Sequence, residues 1–201
     1  MFRPMRRANR AIPEEAAKQL LKQSRRGVLA VNGDGGYPFA IPVNYFYDRE
    51  NEKIFFHGAK TGQKVDALKK SDKVCFTVYG NEHFEPGDWA PYMQSTVVFG
   101  RCRLIEDAAA TEAKVRALAA KYYPSAEEID EEVAKSIRGV QLYEITIEHL
   151  TGKQIHRKHN ETQPAQKLCA GCCSLCRRCA ILVEKAGRRL FHEKNLPHAS
   201  R

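Results

Sequence analysis

Residues 53–68, KIFFHGAKTGQKVDAL, pass from an apolar strand pattern through a glycine-punctuated turn into the start of a basic helix, which leaves little freedom for what surrounds them. Ile54, Phe55 and Phe56 read as a buried strand, because a short apolar run bounded by turn residues suits a strand covered on both faces. Gly58 and Gly62 loosen the turn, Thr61 is placed to cap the helix, and Val65, Ala67 and Leu68 supply its apolar stripe. A first helical turn presents unpaired backbone N–H groups at the positive end of the macrodipole, so with Lys64 it makes a seat for an anion such as phosphate. From these residues alone, a solvated lysine and a surface histidine are the simpler account. The glycine spacing matches neither a Walker A loop nor a dinucleotide fingerprint.

The rest of the chain reads mainly as strands joined by turns. Pro13, Glu14 and Glu15 open a first helix that ends near Ser24, with Ala17, Leu20 and Leu21 at apolar spacing. A hairpin follows: strand 27–32, the turn Gly33–Gly36, then strand 37–48. Pro38 and Pro42 cannot donate to a ladder, so this second strand belongs at an edge, at a bulge, or open to a ligand beside Val43 and Asn44. Strands at 53–57, 73–80, 95–106 and 140–150 complete a set of six, with Gly100 marking a bulge or close approach. Helices are predicted over 61–70 and 108–122, the latter with Val115, Leu118, Ala119 and Tyr122 on one stripe, and a shorter one after Pro124. Residues 81–94 have no clear period and read as an irregular surface loop. Six strands in hairpin-like succession point to an antiparallel sheet closing into a small barrel, and the missing GxGxxG argues against a Rossmann layout.

Charge and cysteine divide the chain unevenly. The formal net charge is +9, but residues 153–201 hold 11 Lys and Arg against 3 Asp and Glu, leaving 22 against 21 for the body. A basic footprint for nucleic acid is therefore absent from the body, and nucleic acid is not an expected partner. Five of the seven cysteines also lie in the tail, at Cys169, Cys172, Cys173, Cys176 and Cys179, whereas Cys75 and Cys102 sit in strand patterns as reduced core thiols. The tail's Cys-x2-Cys spacings suit thiolate coordination of zinc or an iron–sulfur cluster, but they match no known ligand layout, and a basic unstructured extension is the competing account. No run of eighteen apolar residues appears and Met1–Arg10 has no apolar h-region, so a cytoplasmic protein without a membrane partner is expected.

Taken in order, MRRANRAI, GVLAVNGDGGYPFAIPVNYFYD, KIFFHGAKTGQKVDAL, KVCFTV, STVVFGRCRLIE and the closing strand before TGK resemble the flavin-binding split β-barrel family of the pyridoxamine 5′-phosphate oxidases. Within that family the blocks are most similar to the nitroimidazole-resistance (Nim-type) branch. The resemblance implies an α+β fold, a six-stranded antiparallel split β-barrel over residues 1–153, followed by the cysteine-rich extension 154–201. It implies a homodimer with FMN in the crevices between subunits and the phosphate on the basic turn after the third strand. Lys64 matches the basic phosphate ligand, and Gly62 and Gln63 stand where the oxidases carry a Ser-Arg pair, so the grip leans on Lys64 and backbone N–H groups. His57 matches the histidine beside the flavin ring in the Nim-type branch, a candidate catalytic residue that could supply a proton or orient a substrate. Gly58 and Ala59 continue that cofactor segment. Pro42, Val43 and Asn44 match the strand lining the isoalloxazine, and Ser95 and Thr96 begin the strand that approaches the cofactor near the dimer contact.

The activity this implies is an FMN-dependent oxidoreductase that takes electrons from NAD(P)H and passes them to a small nitroaromatic or nitroimidazole-type acceptor, under a lid carrying His83, Phe84, Trp89 and Tyr92. A non-catalytic module that binds flavin, a tetrapyrrole or a nucleotide is the alternative. Oxidation of pyridoxamine phosphate itself would need a second phosphate site, and His156, Arg157, Lys158 and His159 do not reproduce the oxidases' pattern.

Overall fold

Pro13 at the N-cap and the acidic pair after it set helix α1 (Glu14–Gln23), whose buried residues Ala17, Leu20 and Leu21 fall on one face. The computed structural model describes residues 1–155 except 88–89. The expectations placed on Trp89, on residues 156–159 and on the tail cysteines lie outside the described residues. After α1 the order is β1 (Arg26–Asn32), β2 (Pro38–Asn44), β3 (Phe46–Asp48), β4 (Lys53–Ala59), α2 (Gln63–Lys70), β5 (Lys73–His83), β6 (Tyr92–Ile105), α3 (Ala108–Ala119), α4 (Ala126–Ser136) and β7 (Val140–Gln154). Asp107 and Ser125 cap α3 and α4 by accepting from Ala110 N and Glu128 N. Among the described residues no helix is long and apolar enough to cross a membrane.

The strands form one antiparallel sheet in the order β2-β1-β5-β6-β7-β4-β3. The described sheet thus has seven strands where the sequence predicts six, because residues 37–48 do not run as one strand. They break at Tyr45, and the two halves pair with opposite edges, β2 on β1 and β3 on β4. Consecutive Cα atoms are about 3.8 Å apart, so Asn44 and Phe46 lie within about 8 Å and the sheet must curl to bring its edges together. The backbone groups that leave the ladder at the break find other partners. Tyr45 N–H donates to Tyr122 Oη at 3.0 Å, and Tyr45 O accepts from Tyr122 Oη at 3.2 Å and from Lys121 Nζ at 3.4 Å. Both prolines of β2 sit on an edge strand bonded only to β1, which is how the sheet accommodates them.

The curled sheet encloses a core in which Phe56 stacks on Tyr143 at 4.8 Å and Tyr45 meets Phe76 edge-on at 4.9 Å, among Leu29, Ile54, Val78, Val98 and Ile145. Helix α1 packs its buried face on this core and is tied down by Thr96 Oγ1, which donates to Ala17 O at 3.0 Å. On the outer face, Phe55 and Leu142 pack against Val115 of α3 and Val133 of α4. The register of β6 on β7 shifts between Phe99 and Gly100, the predicted bulge, and a Cβ at Gly100 would collide with Thr146 O and lie 3.0 Å from Ile145 Cγ2. The segment 81–94 is shorter as a loop than its composition suggests: β5 runs on to His83, which pairs with Tyr92 on β6 and stacks on it at 5.0 Å.

Candidate functional site

The helix start that the sequence singles out is held open by its backbone. Gly62, not Thr61, is the N-cap of α2, with φ +117° and ψ 173°, and no side chain caps the helix. That conformation is essentially reserved for glycine. Asp66 N–H takes Gly62 O at 3.1 Å, so the N–H groups just ahead of it, in Gln63, Lys64 and Val65, have no partner within the helix.

Lys64 does not extend into solvent from this turn. Its Nζ lies 4.6 Å from the centroid of the Tyr143 ring and 5.2 Å from that of Phe56, over the stacked pair. Burial lowers its pKa from the ordinary lysine value, only partly countered by Cys102, and among the described residues no carboxylate pairs with it. Gly58 makes this position possible, since a Cβ there would overlap Lys64 Nζ and touch Tyr143 at 3.5 Å. Lys64 is thus a partly desolvated cation beside uncapped amides.

Strand β4 separates its side chains by alternation. Ile54 and Phe56 point into the core, whereas Phe55 and His57 point outward to the layer formed by α3 and α4. There His57 and Asn44, the last residue of β2, line one cavity of about 210 Å3, closed by Leu118 and Tyr122 on one side and by Ser136 and Ile137 on the other. Partial enclosure, then the charge of Lys64, lowers the His57 pKa below the usual histidine value, which favours the neutral imidazole. A neutral imidazole offers one donor and one acceptor nitrogen, and Asn44 adds an amide of both kinds.

The other sequence-predicted residues fall in different places. Pro42 shares the outward face with Asn44 but lines a wider cleft of about 770 Å3, and Val43 turns against the core. Ala59 O accepts from Tyr143 Oη at 2.7 Å, and Gly62 and Gln63 are exposed at the start of α2. Ser95 pairs with Tyr79 and Lys153 in mid-sheet, outside the lining of the Asn44–His57 cavity. Thr96 is 0% exposed and its hydroxyl donates to Ala17 O. Its place in the strand alternation turns it inward under α1. His83, Phe84 and Tyr92 do not line the cavity either.

The walls of the cavity come from residues that the sequence marks only as helix faces. Tyr122 reads there as part of an apolar stripe, yet it donates to Arg25 O and holds the backbone of the strand break. Ser136, whose Oγ donates to Glu132 O at 2.6 Å, carries no motif at all.

A family profile described as pyridoxamine 5′-phosphate oxidase matches residues 13–154, and the chain belongs to that family. Among solved structures it is similar to a 5-nitroimidazole antibiotic resistance protein, so described provisionally, from Bacteroides thetaiotaomicron (17% identity, 72% of this chain and 86% of that chain, TM-score 0.61). It is also similar to a flavocytochrome from Azotobacter vinelandii (20% identity, 81% and 79%, TM-score 0.60) and to a FAD-binding protein from Mesorhizobium loti (18% identity, 72% and 95%, TM-score 0.53). At these identities the likeness is one of fold. No curated protein sequence matches the chain significantly.

Proposed function

We propose that this chain is a flavin-dependent oxidoreductase that holds FMN and transfers electrons from NAD(P)H to a small nitroaromatic or nitroimidazole-type acceptor. The observation that carries the reading is the meeting of Asn44 and His57, from separate strands, in one cavity on the strand that leads to the uncapped α2. The family and the flavin-binding proteins that share the fold support it. The residues present suit the cofactor's charge: three uncapped amides, a glycine that keeps them open, and a lysine that pairs with no carboxylate among the described residues.

Bound FMN supplies the two-electron redox chemistry. The chain's part is to bind, orient and protonate. The N–H groups of Gln63, Lys64 and Val65, with Lys64 Nζ, hold the phosphate. The Asn44 amide orients a ring edge through hydrogen bonds. His57, in its neutral form, holds a proton on one ring nitrogen and accepts on the other, so it can protonate an acceptor at the cavity mouth. The apolar wall of Leu118 and Ile137 limits water. A homodimer is part of the proposal, supported by the outer face of β6, where Phe99 is 41% exposed with Phe2 stacked on His149 at 4.6 Å beside it.

Purified full-length protein should retain or take up FMN, lose its visible flavin absorbance when NADPH is added without oxygen, and recover it on addition of a nitroimidazole. Lys64→Met should weaken FMN binding by about tenfold or more, the loss of one charge-assisted bond. A protein that refuses FMN sinks the proposal. Retention of FMN without reduction or turnover leaves a binding module in its place.

A further inference from the structure

A cleft wider than the cavity that holds His57 lies beside it. It opens where α1 hands over to β1, and the short connection delivers Arg25 and Arg26 together to its rim. Pro42, Tyr79, Asn81 and Tyr122 line it as well, and among the described residues no Asp or Glu does. Arg49, Arg101, Arg103 and Arg116 each meet a carboxylate, but neither Arg25 nor Arg26 has an ion-pair partner among the described residues. A third cation stands behind them. Lys121 Nζ donates to Ser24 O at 2.5 Å and lies 4.2 Å from the Tyr45 ring centroid. Burial first, then the charge of Arg25, lowers the Lys121 pKa to about 8. In a body whose charges otherwise nearly cancel, two arginines without ion-pair partners among the described residues at one cleft, with Lys121 behind them, attract a multiply charged anion.

The cleft also says what the anion is attached to. Its volume of about 770 Å3 exceeds what a simple oxyanion needs and falls in the range of sites for nucleotide-sized ligands. The Tyr79 ring is 66% exposed, and the Arg25 guanidinium sits 5.2 Å from the Tyr122 ring centroid, so flat apolar surface lies beside planar, fork-shaped donors suited to phosphate. Pro42 and Asn44 lie on the same face of β2, two residues or about 7 Å apart, and Tyr122 walls both the cleft and the Asn44–His57 cavity. The two cavities therefore adjoin along one strand.

We infer that the cleft binds a phosphorylated pyridine nucleotide, with its phosphates on Arg25 and Arg26 and its ring directed along β2 toward Asn44 and His57. The inference rests on the oxidoreductase reading for the identity of the ligand but not for the phosphate site itself. Isothermal titration of the full-length protein with NADP+, which cannot be turned over alone, tests it, with inorganic pyrophosphate as competitor and flavin content read from the same samples. In Arg25→Gln/Arg26→Gln the Kd for NADP+ should rise roughly tenfold or more and pyrophosphate should bind equally poorly, with flavin content unchanged. The lysine pair Arg25→Lys/Arg26→Lys should retain part of the affinity, since charge survives and the fork does not. Equal NADP+ affinity in wild type and the glutamine variant overturns the inference, as does wild type that binds pyrophosphate but not NADP+. A wild type without flavin that still binds NADP+ through these arginines removes the oxidoreductase reading and leaves the nucleotide site standing.

Discussion

Gly62→Ala isolates what the helix start does, because the new Cβ meets no atom beyond its own stretch of backbone. A Cβ at Gly62 meets nothing within 4 Å, so the penalty comes wholly from forcing alanine to φ +117° and ψ 173°. Backbone strain in that region costs about 1–3 kcal/mol. The penalty can appear in only two places. If the turn keeps its shape, the strain is carried by the folded protein, and at about 2–4 °C per kcal/mol for a chain of this size the melting temperature falls by roughly 2–12 °C. If the turn relaxes instead, stability is spared, but FMN must restore the open geometry on binding, and its Kd rises by about 5- to 150-fold. The two losses in free energy should together amount to about 1–3 kcal/mol. Thermal melts by circular dichroism and FMN titrations followed by flavin fluorescence, on wild type, Gly62→Ala and the control Gly139→Ala, give both numbers. Gly139 also has open space around it and is not among the positive-φ glycines, so its alanine variant should match wild type. A Gly62→Ala protein that melts within about 1 °C of wild type and binds FMN with unchanged Kd refutes the strain argument.

Two further outcomes follow from the sheet. Gly100→Ala should destabilise the fold by about 2–3 kcal/mol, seen as a lower urea midpoint, because the new Cβ meets the backbone carbonyl of Thr146 at the bulge, where no side chain can swing away. Glu144 is buried and accepts from Arg103 Nε at 2.8 Å with Lys53 Nζ at 3.1 Å. Burial alone would raise its pKa, but these two cations outweigh it and the folded-state value is lowered. A lowered carboxylate stabilises the fold above the unfolded-state value of about 4.3, and the contribution disappears as pH falls through the folded value. Urea midpoints between pH 6 and pH 3 should therefore drop more steeply for wild type than for Glu144→Gln, which should start about 1–2 kcal/mol less stable at pH 6. Parallel pH profiles would refute the assignment.

Much of the architecture was legible because the signals are local. The spacing of Ala17, Leu20 and Leu21, the turn after Asn32, the apolar run at Ile54–Phe56 and the bulge at Gly100 each depend on residues close together in the chain, and the structure places the corresponding elements there. Prolines at 38 and 42 excluded a central strand, as a missing N–H must. The break at Tyr45 was not legible, because it is stabilised by Tyr122 and Lys121 from the far side of the sequence and shows itself only when the sheet curls.

Sequence alone, then, determined the approximate place of most strands and helices and that Lys64 lies in the first turn of α2, though not that Gly62 rather than Thr61 caps it, since propensity and alternation act within a few residues. Only the tertiary structure decided which way each alternating face points. It turned Thr96 inward under α1, swung Lys64 over Tyr143, and set His57 beside Asn44 in a cavity walled by α3 and α4. Register and curl are properties of paired strands, and no single strand carries them.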